Sequence, residues 1–236
     1  MKALTLVIPD KADIERDAVA FAWQENHGQV LRLGRFWEPP ALDTKNVRLY
    51  GSDSFCLVLA QILNLQLISP DDDVILKLSG HWLGRKVFAS TLGQAVCLDF
   101  PCFVKPLTPK LFKADIYSDL AALEAACDNL PQETVILCSE IISIQAEART
   151  FIKDGQVLTC AVYEGDAETS LSAHAFVQQM LDESKHLFPS TCVIDVALKS
   201  TGEWVFLEAN ATWGAGLNGC NPQAVAECIA QATFVV

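Results

Sequence analysis

Hydrophobic and polar positions fall into short apolar runs broken by turn residues, the pattern of strands alternating with amphipathic helices. Leu4 to Ile8 has the length of a buried strand. Ala12 to Asn26 shows helical spacing, with Asp10 placed to cap it, and Gln29 to Phe36 returns as a strand after the His27-Gly28 break. The chain therefore opens β-α-β. Val47 to Tyr50 is a short strand ended by Gly51, Ser52 or Asp53 caps a helix to about Leu63, and Leu65 to Ile68 is a further strand. Such alternation predicts a small parallel sheet covered by helices. Asp71, Asp72 and Asp73 follow Pro70 and suit the first turn of another helix, where carboxylates face the positive end of the dipole. A metal-binding acidic cluster is the less favoured alternative.

From Gly80 to Gln94, around Trp82, Arg85, Lys86 and Gly93, the stretch reads as a linker with short helical pieces. The pattern changes at Pro101. Phe103 to Pro106 ends a strand, a short loop runs to Phe112, and Ser118 or Asp119 starts a helix to about Asn129. Thr134 to Leu137 is apolar and β-rich and leads into Ser139-Glu140-Ile141-Ile142. Glu147 to Lys153 and Gln156 to Val162 flank Asp154-Gly155, a dipeptide suited to a tight hairpin turn. In a hairpin centred there, Arg149 stands opposite Cys160 and Phe151 opposite Leu158, with Glu147 and Arg149 on one face. Ser172 to His186 and Pro222 to Ala230 read as helices. The predicted division is an amino-terminal α/β domain over residues 1–79, a linker over 80–100 and a second domain over 101–236.

Between the last two helices, Cys192 to Ala197 and Trp204 to Asn210 are strands joined at Ser200-Thr201-Gly202-Glu203. A hairpin centred on Thr201-Gly202 places Asp195 opposite Glu208. Facing residues have Cβ atoms roughly 4.5 to 5.5 Å apart, and like charges there are destabilising, so the pair asks for a cation. Asn210 shares the strand face of Glu208 and adds a neutral oxygen. Three hard oxygen donors suit magnesium, with manganese as the alternative ion. A solvated strand face is the competing reading; the apolar neighbours Val193, Phe206 and Leu207 argue against it.

Composition narrows the class. With 51% hydrophobic and 19% charged residues, the 236-residue chain can bury a sizeable core. A formal net charge of -12 removes the broad attraction to phosphate backbones on which nonspecific nucleic-acid binding rests. Nine cysteines without a Cys-x-x-Cys pair read as reduced thiols of a cytoplasmic protein. The apolar run at the amino terminus is too short for a signal peptide or a membrane span. His27, His81, His174 and His186 are isolated. No phosphate-binding P-loop, Gly-x-Gly-x-x-Gly fingerprint or nucleophile elbow occurs.

Lys105 lies at a strand end before Pro106, with Lys110 and Lys113 close behind, a cluster able to bind polyphosphate. Solubilising surface lysines are the commoner use of such residues. Arg149 beside Glu147 is by default a weak ion pair, and its functional reading is phosphate or carboxylate recognition through the planar fork.

The order of these signals carries a resemblance. Phe103-Val104-Lys105-Pro106, Lys110-Leu111-Phe112, Ser139-Glu140-Ile141-Ile142, Glu147-Ala148-Arg149, Asp195 and Glu208-Ala209-Asn210 resemble the ATP-grasp superfamily. More narrowly, they are similar to its small bacterial and phage-associated clade marked by one arginine and two lysines. The resemblance spans about Phe103 to Ile229. It implies an α/β (α+β) ATP-grasp fold with a small amino-terminal pre-ATP-grasp-like domain, and ATP held between two antiparallel sheets. Lys105 and Lys110 would contact phosphates, with Lys113 as a substitute. Ser139, Glu140, Ile141 and Ile142 would form the hinge against the adenine edge, and Glu147 would approach the ribose or the substrate. Arg149 would neutralise the transferred phosphoryl group, and Asp195, Glu208 and Asn210 would hold magnesium.

The implied activity is an ADP-forming ligase. It would phosphorylate a small-molecule, peptide or protein carboxylate and pass the acyl group to an amine or thiol. A catalytically inactive nucleotide-binding module and an ATP-grasp kinase are the alternatives. Neither nucleic acid nor membrane is implied as a partner. Ala114 stands where relatives carry glycine, and the short loop from Leu107 to Lys110 holds Pro109. Arg85 and Lys86 are candidates for the basic residue that family members carry before this domain. Trp213 to Gly219, directly after the metal strand, is flexible enough to shape an acceptor pocket; its alternative is a plain connection to the last helix.

Overall fold

The structure, a computed structural model, describes residues 4–26 and 28–235, so His27 lies outside the described residues. The first strand, β1 (Leu4–Pro9), buries Leu6, Val7 and Ile8 completely. Helix α1 (Ile14–Asn26) crosses over to β2 (Gly28–Leu33), which lies parallel to β1 on one side, while β3 (Val47–Leu49) lies parallel on the other. This is the expected small parallel sheet. Asp13, not Asp10, caps α1 by accepting the Arg16 N–H at 2.9 Å. Asp10 still belongs to the strand end, where its own N–H donates to the Leu33 carbonyl. Helix α2 (Asp53–Leu63) follows Ser52 and ends at Asn64, whose left-handed φ of 52° closes the last turn. Strand β4 (Leu65–Leu67) stays outside the parallel sheet.

Two single-turn helices, α3 (Val74–Lys77) and α4 (Gly80–Leu83), lead out of this unit. Asp71 and Asp73 both bond Lys77 at 2.7 Å, so two of the three aspartates form ion pairs with the helix they precede. Strands β5 (Val87–Thr91), β6 (Cys102–Pro106) and β7 (Asp115–Tyr117) come next, then helix α5 (Leu120–Ala126) and strand β8 (Val135–Ser139). These four strands make one antiparallel sheet, order β5-β8-β6-β7. The 80–100 stretch, expected as a linker with helical pieces, thus supplies an edge strand. An edge strand with several exposed residues lacks the apolar run that marks a buried one. Asp119 caps α5 by accepting the Ala122 N–H at 2.9 Å, as its position suggests.

The second antiparallel sheet holds β9 (Ile144–Lys153), β10 (Gln156–Glu164), β11 (Thr191–Lys199) and β12 (Trp204–Asn210), in the order β10-β9-β11-β12. Helix α6 (Ser170–Ser184), between β10 and β11 in the chain, packs Ala173, Val177, Met180 and Leu181 on one face of it. Helix α7 (Pro222–Ile229) covers the other face, where Val225 and Ile229 join Phe151 and Val193 to Leu6, Ile8 and Trp23 of the amino-terminal unit. A single core therefore runs from the second sheet into that unit. Strand β13 (Thr233–Val235) completes the tie by pairing antiparallel with β4. Among the described residues no helix is long and apolar enough to cross a membrane.

Both hairpins carry bulges. In β9–β10 the ladder starts as expected at Lys153 and Gln156, then shifts between Val157 and Thr159, so Arg149 faces Ala161 rather than Cys160, and Phe151 faces Thr159 rather than Leu158. In β11–β12 the turn is centred on Thr201 rather than between Thr201 and Gly202, with Leu198 opposite Trp204 and Val196 opposite Phe206. A register shift at Leu207 then restores the expected opposition of Asp195 and Glu208.

Candidate active site

The two four-stranded sheets face each other across a cleft. Its inner hollow, about 270 Å³, is walled by Phe103, Lys105, Leu137 and Ser139 from the first sheet and by Glu147, Tyr163, Asp195, Leu207 and Glu208 from the second. A contiguous outer hollow of about 310 Å³ runs on past Lys105 and Glu208 to Asn210, Lys110 and Asp72. Strand alternation explains who enters. In β6, Cys102, Val104 and Pro106 are buried, which turns Phe103 and Lys105 toward the cleft.

Asp195 is the centre of this arrangement. It is only 3% exposed and pairs across the sheet with Arg149 on one side and Glu208 on the other. Arg149 grips it with a fork, Nε donating to Oδ1 at 2.9 Å and Nη2 to Oδ2 at 2.8 Å. Asn210 Nδ2 donates to Asp195 Oδ2 at 3.2 Å and to Glu208 Oε1 at 3.0 Å. Lys105 Nζ approaches Glu208 Oε2 at 3.4 Å. The like-charge opposition read from the sequence is thus relieved by two protein cations and an amide. Burial pushes the Asp195 carboxyl above its ordinary pKa, the Arg149 fork opposes that push, and the Glu208 charge adds to it. The default Glu147–Arg149 ion pair does not form; Glu147 instead accepts from the Tyr163 hydroxyl at 2.5 Å, and Arg149 lies 5.9 Å from the Tyr163 ring centre.

Of the remaining expected residues, Ser139 lines the inner hollow and accepts from Arg85 Nε at 2.9 Å. The segment 140–143 is the connection from β8 of one sheet to β9 of the other. Glu140 and Ile141 line a separate groove, and Glu140 Oε2 accepts the Lys86 N–H at 2.8 Å, fastening the end of β5. Ile142 is half-buried in that connection and lines neither hollow of the cleft. Lys110 lines the outer hollow at a left-handed φ of 69°, with its ammonium on Asp53 of α2. Lys113 pairs with Asp115 and lines neither hollow.

Three cleft residues escape the sequence reading or are only weakly indicated by it. Arg85 lines the inner hollow and also donates to the Phe206 carbonyl at 2.8 Å, and its place ahead of the domain is its only sequence signal. Tyr163 enters beside a second shift in β10, between Val162 and Glu164, which no local pattern announces. Asp72 faces the outer hollow without a hydrogen bond or ion pair to any described residue, while its neighbours hold Lys77.

Oxygens of Asp195, Glu208 and Asn210 fit a hard divalent cation, because all three side chains already meet around one amide group whose O and N ends are interchangeable. Among the described residues no group of three or more His, Cys, Asp and Glu side chains is placed to hold a metal ion, so such an ion would lean on two carboxylates, an amide and ligand oxygens.

Structures of similar fold share this two-sheet plan. An ATP-grasp RimK domain protein from Sphaerobacter thermophilus superposes with a TM-score of 0.57 at 14% identity, covering 97% of this chain and 98% of that one. The ATP-grasp ligase PsnB, in complex with precursor peptide PsnA2 and AMPPNP, gives a TM-score of 0.53 at 12% identity, covering 97% and 98%. PsnB with a minimal precursor gives 0.51 at 12% identity over 92% and 93%. No curated protein matches the chain in sequence. A family model described as "ATP-grasp domain, R2K clade family 2" matches residues 82–228, more than half of the chain. The two facing sheets with their charged cleft and this match agree: the chain belongs to the ATP-grasp superfamily, in family 2 of its R2K clade.

Proposed function

We propose that the chain is an ATP- and magnesium-dependent, ADP-forming ligase that joins a carboxylate to an amine or thiol through an acyl phosphate. The observation that supports this reading most is that Lys105, Asp195, Glu208 and Asn210 line the two contiguous hollows and bond one another, with Arg149 gripping Asp195 beside them. In this reading the adenine occupies the inner hollow, against Leu207 and Ser139, with Glu147 toward the ribose. The triphosphate runs outward past Lys105 into the outer hollow, where Lys110 reaches it from the loop between β6 and β7.

Magnesium held by Asp195, Glu208 and Asn210 would draw charge from the β- and γ-phosphates. The protein does the rest by positioning and neutralisation, the main contributions to phosphoryl transfer. A carboxylate oxygen attacks the γ-phosphorus, the bond to the β-phosphate oxygen breaks, and ADP leaves. Arg149, held by Asp195, faces the negative charge that builds on the transferred group. An amine then attacks the acyl carbon, the acyl–phosphate bond breaks, inorganic phosphate departs with its electron pair, and the amine nitrogen gives up one proton to the departing phosphate or to water. No protein nucleophile is needed.

The acceptor would enter beside the Trp213 to Gly219 loop, and the unit of residues 1–79 would support that wall, with residues 101–236, completed by Arg85 and strand β5, as the nucleotide-binding part. PsnB complexes contain a precursor peptide, so peptide carboxylates are the first donors to try. Incubation with ATP, magnesium, amino acids and peptides should release ADP and phosphate only when both donor and acceptor are present. AMP release would sink the reading. ADP release with a stable phosphorylated product would make the chain a kinase, and nucleotide binding without turnover would make it a binding module.

A further inference from the structure

We infer that Glu15, on α1 of the amino-terminal unit and outside the segment that matches the family, is a positioning residue for Arg149, acting through the backbone of the loop after β12. The inference rests on the ligase reading for what Arg149 does, and on geometry alone for how Glu15 reaches it. The two carboxylate oxygens of Glu15 accept the backbone N–H groups of Leu217 and Asn218, each at 2.9 Å. Directly before them, the Gly216 carbonyl accepts from Arg149 Nη1 at 3.1 Å. The Arg149 fork is thus fixed at three points, two on Asp195 and one on Gly216.

Gly216 is where both side chains meet the loop. A Cβ on that residue would come within 3.1 Å of Glu15 Oε2 and 3.8 Å of Arg149 Nη1, so the backbone passes between them. Elsewhere the loop is held by the Cys220 N–H donating to the Leu217 carbonyl at 3.0 Å and by burial of Ala215 and Leu217. Asn218 and Gly219 both adopt left-handed φ, 46° and 80°, which leaves the Leu217 and Asn218 amides outside any helix or ladder. A half-buried carboxylate accepting two N–H groups is a strong anchor there. Tyr50, from the same unit, adds a second tie by donating its hydroxyl to the Ala215 carbonyl at 3.0 Å.

The chain of contacts runs from Glu15 to Leu217 and Asn218, through Gly216 to Arg149, and from Arg149 to Asp195. The amino-terminal unit thereby sets the outer nitrogen of the guanidinium that faces the transferred group. Without Glu15 the loop releases Gly216, and Arg149 keeps Asp195 but loses its third point of attachment.

Glu15→Gln tests this, because the amide can accept one N–H but presents its own NH2 to the other. Hydrogen exchange at Leu217 and Asn218 should accelerate by about ten-fold or more, with or without turnover. For ADP release, kcat should fall roughly ten-fold while KM for ATP stays within about two-fold. Glu15→Gln combined with Arg149→Lys should be no slower than Arg149→Lys alone, whereas a merely structural role gives losses that add. Asp17→Asn, on the same helix, should leave all three readouts unchanged. If Glu15→Gln does not fold, Tyr50→Phe cuts the neighbouring tie and should show the same pattern in smaller measure. Unchanged exchange at Leu217 and Asn218, or additive losses, overturns the inference. Wild-type protein without ADP release would instead overturn the ligase reading, and the exchange experiment would still decide the tether.

Discussion

Arg149 holds Asp195 across two neighbouring strands through both carboxylate oxygens, at 2.9 and 2.8 Å, with Asp195 almost fully buried. Removing the guanidinium strands a buried charge, so Arg149→Ala should lose about 3–5 kcal/mol of stability in denaturant unfolding at neutral pH. The loss should shrink in acid. Burial already raises the folded-state pKa of Asp195, and without Arg149 it rises further. A carboxyl whose folded pKa exceeds its unfolded value binds its proton more tightly when folded. The cost is therefore absent below the unfolded pKa of about 3.9, grows as pH climbs above that value, and is complete once pH has passed the higher folded one. In the same variant, turnover should fall more than ATP affinity; unimpaired turnover with unchanged affinity would exclude a role for Arg149 in phosphoryl transfer.

The opposition of Asp195 and Glu208 is legible in the sequence because both strands are long, apolar and joined by a short polar turn. The centre of that turn is not legible, nor is the bulge at Leu207 that restores the pairing, since both depend on how β12 meets the rest of the sheet. Arg149 shows the same limit. Its neighbour Glu147 is two residues away along β9, yet its partner comes from β11, and only the sheet order brings the two together. Lys105 and Ser139 are found from motif order, while Arg85 and Tyr163 reach the cleft from stretches without a periodic signal. Strand β13 pairs with β4 from the other end of the chain, a contact no local pattern encodes.

Tyr163 donates to Glu147 at 2.5 Å inside the inner hollow. Tyr163→Phe keeps the ring against Arg149 and deletes only that bond. Steady-state kinetics should show KM for ATP raised by up to about ten-fold with kcat little changed, the size expected for one hydrogen bond. A fall in kcat at constant KM would place Tyr163 in the chemical step instead.

Lys110, which lines the outer hollow, is bonded to Asp53 of α2, so a nucleotide that recruits Lys110 must first displace a carboxylate. An exposed pair is worth up to about 1 kcal/mol, and Asp53→Asn should therefore lower KM for ATP by roughly two- to five-fold. Lys110→Ala should raise it. An unchanged KM in both variants would show that Lys110 does not serve the nucleotide.

All nine cysteines are free thiols, and of these Cys97 alone is exposed, with Cys160 half-buried. Burial pushes Cys160 up to about 11 and Cys138, Cys220 and Cys228 up to about 12, which keeps them protonated and slow. At about pH 8, a thiol reagent should label one cysteine rapidly and the remainder on unfolding, and Cys97→Ser should abolish the rapid phase. Several rapid sites in native protein would contradict the packing of β8, β11 and α7.

The nucleotide site itself is tested most directly by calorimetric titration of AMPPNP with magnesium into wild-type protein, Lys105→Ala and Glu208→Gln. Wild type should bind one nucleotide per chain, magnesium should strengthen binding, and each variant should lose about ten-fold or more in affinity, near 1.4 kcal/mol, with Glu208→Gln also losing the magnesium dependence. Equal affinity in all three proteins, or no dependence on magnesium in wild type, would contradict a magnesium-nucleotide site between the two sheets.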